Sequence, residues 1–161
     1  MNEDLTLLEV LERHHDGPQD GVFTDGGARP NPGPGGSGFV CVVDGERRAH
    51  RYGRPDQTTN NRMELQALIE AYQFLPEGAE VIVYSDSQLC VNTINQWAKS
   101  WARNGWRRKT GPIKNLDLVQ TLYALSQRHP KVTLKWIKAH AGLRWNAYAD
   151  SLACAWDRAE L

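Results

Sequence analysis

The chain has 161 residues, 40% of them hydrophobic and 24% charged, with 19 acidic and 19 basic side chains. This length suits one domain whose core needs neither disulfides nor structural metal, and the composition excludes a disordered chain. The apolar runs, such as 39–43 and 81–84, fall far short of a membrane span, and the acidic start Met-Asn-Glu-Asp is unlike a secretory signal, so a cytoplasmic protein with no membrane partner is expected.

Leu5, Leu7, Leu8, Val10 and Leu11 recur at loosely helical spacing, and His14-His15-Asp16-Gly17-Pro18 stops the run. Residues 1–20 are therefore expected to form an appendage, a short helix and linker docked on a domain that fills 21–161. The appendage holds six acids (Glu3, Asp4, Glu9, Glu12, Asp16, Asp20) against one base, Arg13, which leaves the rest of the chain net positive. Strands follow at 22–24, 38–43 and 47–52, with a Gly- and Pro-rich loop at 30–36 and an Asp44-Gly45 hairpin. Thr58-Thr59-Asn60-Asn61 caps a helix that runs to about Leu75, where Pro76 and Gly78 end it. Next come a buried strand at 80–85, a helix at 87–97 with a second piece to Asn104, a loop at 105–112 and a helix at 115–128. A strand at 132–137 and a helix at 145–158 complete the chain. The order β-β-β-α-β-α-α-β-α predicts an α/β fold: a five-stranded mixed sheet, three antiparallel strands then parallel crossovers, flanked by helices. Cys41, Cys90 and Cys154 are odd in number and lack Cys-x-x-Cys spacing, so they are read as reduced core residues.

Four acids occupy places where a carboxylate does little for stability. Asp25 and Asp86 each end an apolar strand, where a charge is costly unless paired or bound to metal. Glu64 lies in the first turns of its helix and Asp150 within the last helix. Each alone is as readily a cap or surface charge, but sites in open α/β sheets gather at strand carboxyl ends, and the combination points to one centre. Phosphodiester hydrolysis needs charge neutralised on the attacking and leaving oxygens, which a pair of divalent ions about 4 Å apart does when carboxylates hold them. Hard oxygen ligands without paired Cys or His favour magnesium, with manganese as the alternative. His140, in Lys138-Ala139-His140-Ala141-Gly142 beyond the last strand, is placed to shuttle a proton; a solvated loop histidine is the alternative.

Between Asp86 and Asp117 there is no acid, while Lys99, Arg103, Arg107, Arg108, Lys109 and Lys114 interleave with Trp97, Trp101 and Trp106. Bases attract phosphates and flat indoles pack on sugars and bases; a solvated face with buried tryptophans is the alternative.

Thr24-Asp25-Gly26-Gly27, Asn31-Pro32-Gly33-Pro34-Gly35-Gly36, Thr58-Thr59-Asn60-Asn61-Arg62-Met63-Glu64-Leu65, Ser85-Asp86-Ser87-Gln88 and Lys138-Ala139-His140-Ala141-Gly142, with Asn146 and Asp150, stand in one order over about residues 21–158. This pattern resembles type 1 ribonuclease H. The resemblance implies a ribonuclease H-like fold and metal-dependent cutting of the RNA strand of an RNA–DNA hybrid. It implies metal ligands Asp25, Glu64, Asp86 and Asp150, holding two ions when substrate is bound, and a role for His140 in proton transfer or product release. It further implies that Asn31, Asn60 and Gln88 contact the hybrid near the cut, where small amides suit the 2′-hydroxyl as both donor and acceptor. Thr59 and Asn115 match a pocket for a DNA-strand phosphate. Trp97, Trp101, Arg103, Trp106, Arg107, Arg108 and Lys109 match a basic protrusion that grips the DNA strand.

The pattern has departures. Gly27 stands where many relatives carry Ser, Ala139 where they carry Gly, Ala147 where an acid is common, and Gln57 where an Arg often sits beside the phosphate pocket. None removes a ligand, but Gln57 withdraws a fixed positive charge. Two other readings are a hybrid-binding module without activity and a different metal nuclease on the same fold, integrase-like or junction-cutting. The four acids weigh against the first, and the basic Trp-rich insertion weighs against the second. A monomer is expected, and removal of residues 1–20 is expected to leave activity within a few-fold.

Overall fold

The computed structural model describes residues 5–161; residues 1–4, where the expected appendage begins, lie outside the described residues. The elements are α1 (Leu7–Arg13), β1 (Gly21–Ala28), β2 (Gly35–Val43), β3 (Glu46–Gly53), α2 (Asn60–Phe74), β4 (Ile82–Ser85), α3 (Gln88–Asn92), α4 (Ala98–Arg103), α5 (Leu116–Arg128), β5 (Thr133–Trp136) and α6 (Arg144–Cys154). A π-helical turn, Thr93–Trp97, joins α3 to α4, and a short 3-10 turn, Ala155–Asp157, follows α6. The five strands form one mixed sheet in the order β3-β2-β1-β4-β5. β3, β2 and β1 pair antiparallel, and β4 joins β1 and β5 in parallel.

Strand alternation divides the core. Val22, Phe39 and Val83 face α2 and α5, where Leu68, Tyr72 and Leu122 complete one cluster. Phe23, Val40 and Tyr84 face α6, where Tyr148 and Leu152 complete the other. Of the three cysteines, all unpaired, Cys90 and Cys154 are buried and Cys41 is half-buried.

Three boundaries correct the sequence reading. Strands are expected at 22–24 and 38–43, yet β1 continues to Ala28 and β2 starts already at Gly35, because the two strands stay paired through Ala28↔Gly35. The last α-helix ends at Cys154 instead of Arg158.

The appendage is part of the core. Thr6 and Glu9 cap α1 reciprocally, and Leu7 and Val10 bury against the α6 cluster. Full burial of a large apolar side chain stabilises by about 1.5–3 kcal/mol.

Candidate active site

β1 and β4 run in parallel only as far as Thr24↔Ser85, and the Thr24 hydroxyl fastens them by donating to the Tyr84 carbonyl at 2.9 Å. Asp25 and Asp86 are the next residues on each strand path. Asp25 is therefore at the end of the parallel pairing while sitting inside its own strand, opposite Gly38 of β2. The two helices that bring the other carboxylates need glycine to come close. A Cβ on Gly26 would lie 2.3 Å from the backbone carbonyl of Met63, so glycine there lets α2 lie on β1 with Glu64 beside Asp25. A Cβ on Gly38 would lie 2.6 Å from Leu152 Cβ, so the same device lets α6, which carries Asp150, lie on β2.

Asp25, Glu64 and Asp86 each present a carboxylate oxygen, and these atoms all lie within 4.8 Å of one another. Asp150 is outside that trio but lines the same cavity of about 570 Å³, with Asn60, Ser87 and His140. Asp25 and Glu64 are 7% and 8% exposed, which is unusual for acids. Burial, then the negative charges of Glu64 and Asp86, push the Asp25 carboxyl well above its usual range. Burial, then Asp86, push Glu64 the same way. Hydrogen bonding satisfies little of this charge. Asp25 Oδ1 accepts from Gly26 N–H at 2.9 Å, and Asp86 Oδ2 accepts from Asn146 Nδ2 at 3.3 Å. Glu64 Oε1 is buried without a hydrogen-bond partner. Crowded, oxygen-only and under-satisfied, the donor set fits a divalent cation.

His140 is exposed on the cavity rim, in left-handed backbone (φ 52°). Asn60 lines the cavity; its side-chain oxygen accepts from Ala28 N–H at 2.7 Å, and its backbone N–H donates to Asn31 Oδ1 at 3.0 Å. Gln88 opens α3 and is exposed. Thr59 caps α2 by accepting from Arg62 N–H, while Arg62 reaches Asn115 Oδ1 at 3.3 Å and grips Asp117 with two bonds, of 3.1 and 2.8 Å. Arg62 thus links Thr59 to Asn115, although the sequence reading gave it no role. Also without an assigned role were Asn146, which holds Asp86, and Arg29 and Trp156, which line the cavity. Asn146 and Asp86 are 60 residues apart, so the sequence does not show that one holds the other.

The stretch 97–109 is exposed at Trp97, Lys99, Arg103, Arg107, Arg108 and Lys109. Trp101 and Trp106 instead pack on the α2–α5 core, Trp106 edge-on to Tyr123 with centroids 5.8 Å apart. Arg108 stacks over Trp101 at 5.8 Å and donates to the Gly111 and Pro112 carbonyls, fastening the loop.

The family model for RNase H matches residues 18–156. The ribonuclease H of Hahella chejuensis is 42% identical over 133 residues, 82% of this chain and 88% of that protein. The ribonuclease H of Methylorubrum extorquens is 44% identical over 133 residues, again 82% of this chain but 57% of that longer protein. Among solved structures, LC11-RNase H1 in complex with RNA/DNA hybrid superposes with TM-score 0.62 at 27% identity, over 83% of this chain and 93% of that one. With most of its length matched, the chain belongs to the RNase H family.

Proposed function

We propose that this protein is an endonuclease that hydrolyses the RNA strand of RNA–DNA hybrids with divalent metal held by Asp25, Glu64, Asp86 and Asp150. One observation carries the reading: two buried carboxylates and a third sit within coordinating reach of one another, and a buried Glu64 oxygen lacks a partner. Bound divalent ions supply charge neutralisation at the attacking and leaving oxygens of a phosphodiester. Asn146 holds Asp86 in orientation through its amide. His140, on the rim, takes up or gives a proton at its imidazole. Asn31, Asn60 and Gln88 read the RNA strand, and Thr59 with Asn115 receives a DNA phosphate, oriented by Arg62. Trp97, Arg103, Arg107 and Lys109 grip the DNA strand from the exposed side of the protrusion, while Trp101, Trp106 and Arg108 stiffen it. Oxygen-only ligands favour magnesium over zinc. The same reading takes the enzyme as a cytoplasmic monomer; among the described residues no helix is long and apolar enough to cross a membrane.

The test is incubation with strand-labelled hybrid, duplex DNA and duplex RNA, with magnesium or with chelator. Cleavage confined to the RNA strand of the hybrid and lost in chelator is expected. Cutting of duplex DNA at a comparable rate, or cutting in chelator, contradicts the proposal.

A further inference from the structure

The loop that carries His140 has few anchors of its own. Lys138, His140 and Ala141 are exposed, and His140 and Gly142 adopt left-handed backbone at φ 52° and 78°. A Cβ on Gly142 would meet nothing within 4 Å. The loop's placement therefore rests on its two ends. At the first end, Ile137 is buried and its N–H donates to the Ser85 carbonyl at 2.9 Å, tying the loop to the sheet.

At the second end the chain's own N-terminal segment does the holding. Arg144 donates from Nε to the His14 carbonyl and from Nη2 to the Leu11 carbonyl, both at 2.8 Å, and Nη2 also meets His15 Nδ1 at 3.0 Å. The Arg144 backbone N–H donates to the Asp16 carbonyl at 2.9 Å, and Asp16 forms a parallel bridge with Leu143. Trp145 Nε1 reaches Gln19 Oε1 at 3.3 Å. The same segment walls a cavity of about 440 Å³ whose lining includes Val10, His14, His140, Leu143 and Asp150. The segment lies next to the loop as well as gripping its hinge.

From these contacts we infer that residues 5–19 are a strap that fixes the His140 loop, with Arg144 as the positioning residue for RNA cleavage. The inference rests on the reading of His140 given above. A proton-transferring group works only within about 2.6–3.2 Å of its partner, and a misplacement of about 1 Å can cost on the order of 10²-fold. An exposed, glycine-loosened loop does not hold such a position unaided. A guanidinium forked across two backbone carbonyls is a rigid tie that a lysine does not reproduce.

A mutant cycle on the full chain separates this role from plain stability. Arg144→Ala should lower kcat about tenfold, inside the roughly 10²–10⁴-fold that a general acid or base supplies, and leave KM unchanged. Amide exchange across residues 138–143 should quicken in the same variant. Arg144→Lys, which keeps the charge but has a single donor nitrogen, should recover part of the turnover. Leu125→Ala, in the core between α2 and α5 and outside both the strap and the site, should lower Tm while sparing kcat. In a His140→Ala background, Arg144→Ala should slow the enzyme no further. Wild-type kcat in Arg144→Ala overturns the strap, as does a full multiplicative loss in the double variant. His140→Ala turning over at the wild-type rate is a different failure: it removes the role of His140, and the strap's role falls with it.

Discussion

The carboxylate cavity and the basic protrusion are built in opposite ways. Asp25, Glu64, Asp86 and Asp150 come from four separate parts of the chain, and two of them are buried. Their approach depends on positions such as Gly26, where no side chain fits. The protrusion is one continuous stretch, 97–109, that presents Trp97, Arg103, Arg107 and Lys109 outward and is braced by Arg108 on its own loop carbonyls. Long-range assembly of buried charge is costly, and it yields a field that acts on the reacting bond. A solvated basic surface costs little and acts on phosphates wherever they pass. Changes in the cavity should therefore appear in kcat, and changes in the protrusion in KM.

Short of abolished cleavage, the largest expected effect comes from Glu64→Gln. Metal charge stabilisation is worth several kcal/mol, and about 1.4 kcal/mol is tenfold in rate, so loss of this ligand should cut kcat on the order of 10³-fold. Stability should move the other way. Asp25 and Glu64 bind protons more tightly in the folded chain than in the unfolded one, because burial and neighbouring charge raise both. Their contribution to stability is full below the ordinary carboxylate range and is lost as pH rises through their raised values. Metal-free protein should thus be less stable at neutral pH than its other groups alone would dictate. Glu64→Gln should raise its Tm there, by roughly 2–4 °C for each kcal/mol of repulsion relieved. A metal-free Tm that falls in the variant breaks the claim that repulsion is stored in the cavity.

Gly26→Ala ranks next. Its Cβ would overlap the Met63 carbonyl, so α2 and Glu64 must shift. Overpacking costs about 1–3 kcal/mol, and the displaced ligand should reduce kcat on the order of 10²-fold with KM little changed. Thermal melts and steady-state assays together check this; unchanged kcat means that helix proximity does not set the site.

The smallest effect on chemistry should come from replacing Arg103, Arg107 and Lys109 together with Ala. KM should rise, and its salt dependence should flatten by roughly 0.9 log–log units for each phosphate that the protein no longer neutralises. Turnover at saturating hybrid should hold. Arg108 is left out because it fastens the loop, and its removal mixes folding with binding. A fall in kcat at constant KM places the protrusion in the chemistry and ends the contrast.

Much of the fold and site is legible from local pattern. Strand alternation and helix caps disclose the sheet, and acids beside apolar strands disclose Asp25 and Asp86. Elsewhere tertiary context overrides local preference. The apolar residues of the first strand stop at Phe23, yet antiparallel pairing with β2 carries the strand on through Gly26 and Gly27. Trp101 and Trp106 look like stacking platforms, but the same apolar area that suits a base also suits a core, and core packing half-buries them. Arg62 and Arg144 are silent in the sequence because their partners are 53 to 55 and 129 to 133 residues away, and a hydrogen bond across such a gap leaves no periodic trace. The contacts of the appendage with Arg144 leave no local trace for that same reason.

The central claim is that buried carboxylates cut and exposed bases bind. Asp25→Asn tests it most directly, with hybrid affinity and RNA-strand cleavage measured side by side in magnesium. The amide keeps the shape of the side chain and removes the charge that holds metal. A Kd for hybrid close to wild type, with cleavage abolished, is the predicted result. Cleavage at the wild-type rate, or loss of hybrid binding in a variant that still folds, contradicts it.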